Sequence, residues 1–387
     1  MWLWWPQDAL IFDEAYYVNA ARVVAGRDVP AGGNYAGSTP GVDPNTPHPP
    51  LGKALIAGSI ALFGDGGIGW RIPSVIAAMI SLVAVYAIVR ASGETAWLGT
   101  LAVGLLAFDN LSFVHGRIGT LDMMSLAPIL VAAWLALRGH WAMAGAACAV
   151  GTLVKLTAIF GVMAILAAFA LDLVRSHRRT REYRLADFRP AAALLVTYVL
   201  LSLAVLWILD LRFTNFADPF SHLAHMVTYG TSLQTTGAPE GIASYPWQWL
   251  VNDVEINYLR IAVDTTVDDS IVSSAPMVDF RGALNPVLIG AAPMAFLLAL
   301  GLAWQKGNRL ALWCVLWAAA NYLPYYVLVL VGHRITYLYY VLPAVPALAV
   351  AVALLLARTR LPDIVKVGYV IGVGLAFIAY FPFRQLP

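Results

Sequence analysis

Apolar residues run almost unbroken through ten stretches of the chain, at about 72–89, 95–108, 121–137, 141–154, 156–174, 190–209, 287–304, 310–330, 337–357 and 367–383. A helix that crosses a bilayer needs about 20 such residues, and stretches without a polar stripe predict helices immersed in lipid or protein. The second and fourth are short for a full crossing and have the length of re-entrant or protein-buried helices. Two long polar segments, 8–71 and 210–286, hold most of the acids. The pattern therefore divides the chain into a first loop (1–71), a helical block (72–209), a large loop (210–286) and a second helical block (287–387).

Composition places this pattern in a membrane. The chain has 387 residues, 60% hydrophobic and 12% charged, where soluble domains are nearer half apolar and a quarter charged. A formal charge of +2 offers no basic surface for a phosphate backbone, so nucleic acid is excluded as a partner. Cys148 and Cys314 lie inside apolar runs as small buried thiols. Of the 24 Lys and Arg, 13 fall in one set of short loops: Arg90, Arg138, Arg175, Arg178, Arg179, Arg181, Arg184, Arg189, Lys306, Arg309, Arg358, Arg360 and Lys366. Such loops stay cytoplasmic, which puts both long segments outside. A first segment outside implies a preceding outward helix. Only the Trp-rich stretch from Met1 to Pro6 stands there, so that helix is expected to be missing or cut short, and no secretory signal pattern takes its place.

Ionisable residues gather along the outer side, where a lipid-embedded chain could do without them. In Phe12-Asp13-Glu14-Ala15-Tyr16-Tyr17, apolar positions at 12, 16, 20 and 24 predict a helix on the membrane surface with Asp13 in its first turn. On residue type alone, helix capping is the plainer reading of Asp13. His48-Pro49-Pro50-Leu51-Gly52-Lys53 predicts an extended approach to a helix, with His48 and Lys53 close together. Trp70-Arg71-Ile72-Pro73 puts an arginine at the outer mouth of the first span. Asp109, Asn110, His115, Arg117 and Asp122 crowd a short outer turn and the start of the next helix. Lys155 interrupts an apolar region, His333-Arg334 forms the last outer turn, and Ser244-Tyr245-Pro246-Trp247-Gln248-Trp249 is either an interfacial belt or a substrate surface. Gly64 to Gly69 lacks the strand and helix that frame a nucleotide loop, and no metal-spaced His/Cys set occurs.

Carboxylates and scattered cations bordering lipid suit chemistry on a lipid phosphate. Sugar transfer from such a donor needs one base for the acceptor proton and cations for the leaving phosphate. These same segments, in this order, resemble the protein O-mannosyltransferases, membrane glycosyltransferases of the GT-C fold that use polyprenyl-phosphate mannose; Arg117-Ile118-Gly119-Thr120-Leu121-Asp122-Met123 and Lys155-Leu156-Thr157 add to the likeness. The resemblance implies an all-α polytopic fold of eleven spans, ten of them present here. It implies Asp13 as general base, with Glu14 orienting the acceptor or supporting its loop. Arg71, Lys53 and Lys155 would meet the donor phosphate, and His48, Asp109, Arg117, Asp122, Trp247, His333 and Arg334 would support loops or substrate. Eukaryotic members carry a sugar-binding-like insert where Asp210 to Pro286 is short, which points to a bacterial or archaeal member.

The expected function is inverting transfer of mannose to Ser or Thr hydroxyls of a protein, outside a prokaryotic cytoplasmic membrane, with no cofactor; a divalent ion on Asp13 and Glu14 is the disfavoured alternative, because the cations at the leaving group make it unnecessary. The expected partners are the polyprenyl-phosphate sugar, a Ser/Thr-containing acceptor protein and the bilayer, with the oligomeric state open. A GT-C transferase of another sugar onto lipid or glycan is the nearer alternative. A secondary transporter or lipid flippase is the alternative of another class, though transporters place ionisable residues near the bilayer midplane in repeated halves.

Overall fold

The computed structural model describes residue 6 and residues 8–180, 183–235, 239–267 and 270–381. Along the chain come α1 (Glu14–Val24), α2 (Leu51–Phe63), α3 (Gly67–Ala91), α4 (Ala96–Ala107), α5 (Asn110–His115), α6 (Leu121–Leu137), α7 (Trp141–Val154), α8 (Ile159–Thr180), α9 (Arg189–Phe213), α10 (Pro219–Ser232) and α11 (Pro246–Trp249). Then follow β1 (Ile256–Val267), β2 (Ser270–Gly282), α12 (Pro286–Gln305), α13 (Arg309–Leu330), α14 (Val345–Arg358) and α15 (Asp363–Ala379). All ten apolar stretches are helical; the ninth starts as a tight turn, Leu338–Ala344, that runs into α14. Among the described residues, six helical segments are long and apolar enough to cross a membrane, and four shorter apolar helices include α4 and α7, the two predicted as short. The Met1 to Trp5 part of the expected first-helix remnant, and the last residues of the tenth stretch, lie outside the described residues.

Polar side chains set where many of these helices begin. Thr95, Asp109, Asp218, Asn285 and Asn308 each accept a hydrogen bond from a backbone N–H of the first turn that follows. The helix running from Leu338 to Arg358 is the hub. Most of it is buried, and Ala347, Ala349, Ala351 and Ala353 are wholly so. Small residues around the whole circumference let neighbours approach from every side. The opposite case is α9, of which only 11% of the apolar window is buried; its surface is left for lipid.

Contacts between turns sort the two ends of the bundle. Glu94 accepts hydrogen bonds from Asn308 (2.9 Å) and Arg358 (2.6 Å), and Arg175 donates to the Ala303 carbonyl (3.0 Å). The loops grouped by their Lys and Arg content therefore meet at one end. The opposite end carries Asp13, His48, Arg117, Asp122 and Lys155.

Two features depart from the sequence reading. Nine of the eleven residues of α1 are buried, so α1 packs inside the protein rather than lying on a membrane surface. It is fastened there by Arg22, which grips Asp65 through Nε (3.0 and 3.1 Å) while Trp70 donates to the same carboxylate (2.6 Å). The second is an antiparallel hairpin in the otherwise helical chain: β1 and β2 pair from Ile256 opposite Gly282 to Val267 opposite Ser270, with three register shifts. The Ile-, Val- and Thr-rich stretch 256–267 has strand composition.

Candidate active site

The site forms where the N-terminus of α1 meets the turn before α6, the end of α7, β1 and the tight turn 338–344. Phe12 turns the chain into α1 with φ +52°, an uncommon conformation for a bulky residue. It is held by edge-on ring contacts with Tyr258 (4.5 Å between centroids) and Tyr339 (5.7 Å). That turn places Asp13 and Glu14 in opposite surroundings.

Glu14 faces inward and is fully buried. Its carboxylate accepts from Arg71 Nε (2.7 Å) and Nη2 (2.8 Å), from the Gly119 amide (2.7 Å) and from the Ile11 amide (3.0 Å). Gly119 must be glycine here, because a Cβ would stand 2.7 Å from the Trp70 carbonyl oxygen. Arg71, also fully buried, donates further to the carbonyls of Pro6 (2.6 Å) and Ala9 (3.3 Å). This bidentate pair joins α1, α3 and the turn before α6. Arg71, expected at the donor phosphate, here points its guanidinium fork into Glu14. Of the two roles open for Glu14, support of the loop is the one the contacts carry.

Asp13 occupies the capping position of α1, yet its side chain makes no capping hydrogen bond, so the capping reading fails. Its carboxyl is half-buried, and burial pushes its pKa up to about 7; Lys155 pulls the other way, and the Asp122 charge adds to the rise. Lys155 ends α7 and pairs with Asp122 Oδ1 at 2.6 Å. The ammonium also lies over the rings of Tyr339 (5.2 Å) and Tyr340 (5.8 Å). Asp122 in turn stands 3.4 Å from His115 Nδ1, while His115 Nε2 meets the Tyr258 hydroxyl at 2.6 Å. A carboxyl with a pKa near neutral pH thus feels the charge of one well-held ammonium. That arrangement can take a proton from a hydroxyl and stabilise an anion beside it.

The sequence model for dolichyl-phosphate-mannose-protein mannosyltransferases matches residues 47–209. That match runs from His48 through Arg71, Asp122 and Lys155. Over these residues the chain is similar to that family. The polyprenol-phosphate-mannose–protein mannosyltransferase of Mycolicibacterium smegmatis is 34% identical over 125 residues, 30% of this chain and 22% of that protein. The enzyme of the same name from Corynebacterium glutamicum is 37% identical over 133 residues, 34% of this chain and 25% of that protein. The alignments thus span about a quarter of these curated relatives. In fold, the Saccharomyces cerevisiae protein O-mannosyltransferase Pmt1-Pmt2 complex bound to the sugar donor superposes with TM-score 0.69 at 11% identity, over 98% of this chain and 87% of that one. ArnT from Cupriavidus metallidurans bound to undecaprenyl phosphate superposes with TM-score 0.59 at 16% identity, over 97% of this chain and 60% of that one. The fold is the GT-C fold, and the protein is a multi-pass membrane protein.

Within this fold the remaining predicted residues separate. Lys53, expected at the donor phosphate, is fully buried, pairs with Asp43 at 2.6 Å and donates to the carbonyls of Asn45 and His48. It is spent on closing the loop before α2. Removing it would strand the Asp43 carboxylate, so Lys53→Met is expected to lose about 3–5 kcal/mol of stability, read as a fall in thermal midpoint in detergent, while Asp43→Asn/Lys53→Met falls less. The far side of that loop is held by His222, which bridges Asp210 (2.6 Å) and the Thr46 carbonyl (3.0 Å). His48 packs against Tyr17 (5.7 Å between centroids). Burial, helped by the Lys155 and Lys53 charges, brings its pKa down to about 3, so it stands neutral beside the site.

Asp109 caps α5 and receives the Asn285 amide at 2.9 Å, joining the turn to α12. Arg117 is buried with its guanidinium over the Phe280 ring (5.1 Å) and electrostatically close to Arg71. Trp247 is exposed and stacks on Tyr245 at 4.5 Å. His333 has φ +50°, and Arg334 pairs in a short bridge with Gln234 while its charge reaches His48. Tyr258, Tyr339 and Tyr340 join the site without standing among the residues the sequence singles out. The run Tyr337-Leu338-Tyr339-Tyr340 straight after the outer turn was the available signal; nothing local marked Tyr258.

Proposed function

We propose that this chain transfers mannose from a polyprenyl-phosphate donor to Ser or Thr hydroxyls of proteins, with inversion, at the outer face of a prokaryotic cytoplasmic membrane. The observation that carries this reading is Asp13 poised near neutrality beside the Lys155 ammonium. The donor and acceptor follow from the names of the relatives, and the side of the membrane from the distribution of Lys and Arg.

The acceptor oxygen attacks the anomeric carbon as the bond from that carbon to the phosphate oxygen breaks. The hydroxyl proton passes to Asp13, and the polyprenyl phosphate leaves with its added negative charge facing Lys155. A phosphate needs no proton to depart, so one carboxylate suffices and a single displacement inverts the centre. Asp122 keeps the ammonium in place, and Glu14 with Arg71 keeps the turn that presents Asp13. No metal is required in this scheme.

The test is transfer of labelled mannose from polyprenyl-phosphate mannose to a Ser/Thr-rich peptide in membranes, with and without a chelator. Covalent label on the peptide, unchanged by chelator, is the expected result. Movement of unmodified sugar lipid without a labelled peptide would instead favour a flippase. Lys155→Met is expected to lower kcat by about 10²–10³-fold, the scale for losing one preorganised charge at a developing anion, with the peptide KM little changed.

A further inference from the structure

We infer that Tyr258 is a positioning residue for Lys155, acting through His115 and Asp122, so that the β1–β2 hairpin sets the cation of the site. The inference deepens the proposed function and rests on it for its catalytic part. Four side chains from four separate elements form one connected line. The Tyr258 hydroxyl, on β1, is 2.6 Å from His115 Nε2 at the end of α5. His115 Nδ1 faces Asp122 Oδ2 at 3.4 Å, in the first turn of α6, and Asp122 Oδ1 holds Lys155 Nζ at 2.6 Å. His115 is fully buried, and Tyr258 and Lys155 are nearly so.

Direction follows from donor capacity. An ionised carboxylate only accepts, so the ring nitrogen facing Asp122 is the one that carries hydrogen, and Nε2 is left to accept from the Tyr258 hydroxyl. Without that hydroxyl the buried Nε2 loses its hydrogen-bond partner, and the ring is no longer fastened on the side away from Asp122. Asp122 would then be free to turn, taking the ammonium with it. The ring of Tyr258 is held independently, by Phe12 and by Phe280 at 5.5 Å. Tyr258→Phe thus deletes the hydroxyl while leaving the packing in place.

A purely structural tyrosine and a positioning one differ in what reaches Lys155. The measurement is the rate at which Lys155 is acylated by an amine-directed reagent, read by mass spectrometry on the full-length protein in membranes, for wild type, Tyr258→Phe and His115→Gln. Steady-state transfer of mannose runs alongside. Faster acylation of Lys155 in Tyr258→Phe is expected, by several-fold, with kcat down about tenfold and the peptide KM unchanged; His115→Gln should act in the same direction. Unchanged acylation of Lys155 in both variants overturns the inference, whatever happens to activity. Because acylation needs no turnover, a wild type that transfers no mannose defeats the proposed function without deciding the positioning, which acylation still decides.

Discussion

Asp13→Asn is expected to lower transfer by about 10²–10⁴-fold, the range that a positioned base contributes, without loss of folded protein. Two observations separate the effects. The Asp13 side chain makes no capping bond to α1, so the fold draws no hydrogen bond from it there. Burial already works against its charge, so a neutral isostere relieves the folded state. The variant should match wild type in thermal midpoint and elution from size exclusion while labelling of a Ser/Thr peptide collapses. A variant that unfolds would mean that Asp13 belongs to the scaffold.

The neighbouring carboxylate should behave in the opposite way. Glu14→Ala leaves the fully buried Arg71 guanidinium without its bidentate partner and the Gly119 amide without an acceptor. Breaking one side of a buried pair costs about 3–5 kcal/mol, a large part of the stability of a typical fold. Arg71→Ala should cost a similar amount, because it strands Glu14 instead. Removing both charges in Glu14→Gln/Arg71→Met is expected to regain part of the loss, since a coupled pair is not additive. Thermal unfolding of the four proteins in detergent checks this; equal midpoints for Glu14→Ala and wild type would contradict the scaffold role. Adjacent residues in one motif are thus expected to divide chemistry and architecture between them.

Much of the architecture was legible because lipid imposes a blunt rule. Ten apolar stretches became helices, and even the two short ones kept their predicted length. The grouping of Lys and Arg anticipated which turns meet, as Glu94 with Arg358 and Asn308 shows. The hairpin has no comparably blunt signal, because its strands lie in a loop where apolar residues are interspersed with polar and charged ones. Surface placement of α1 failed for a related reason: a stripe of apolar positions says that one face is covered, not whether lipid or protein covers it. Among the site residues, sequence gathered the cations but could not rank them. Lys53, Arg71 and Lys155 all look alike in a motif. The partners distinguish them: Lys53 closes on Asp43 and Arg71 on Glu14, whereas Lys155 closes on Asp122 and is the cation whose charge acts on Asp13. Tyr258 comes from 136 positions beyond Asp122 in the chain, a long-range contact with no local signature.

The central claim is that the Asp13 carboxylate is the base, and the most direct test is the pH dependence of kcat/KM for mannose transfer between pH 5 and 9. Only the deprotonated form of Asp13 can accept the hydroxyl proton. With its pKa raised to about 7 by burial, kcat/KM should fall about tenfold per pH unit below that value and level off above it. A profile that stays flat down to pH 5, where an ordinary exposed carboxylate is still ionised, would contradict the account.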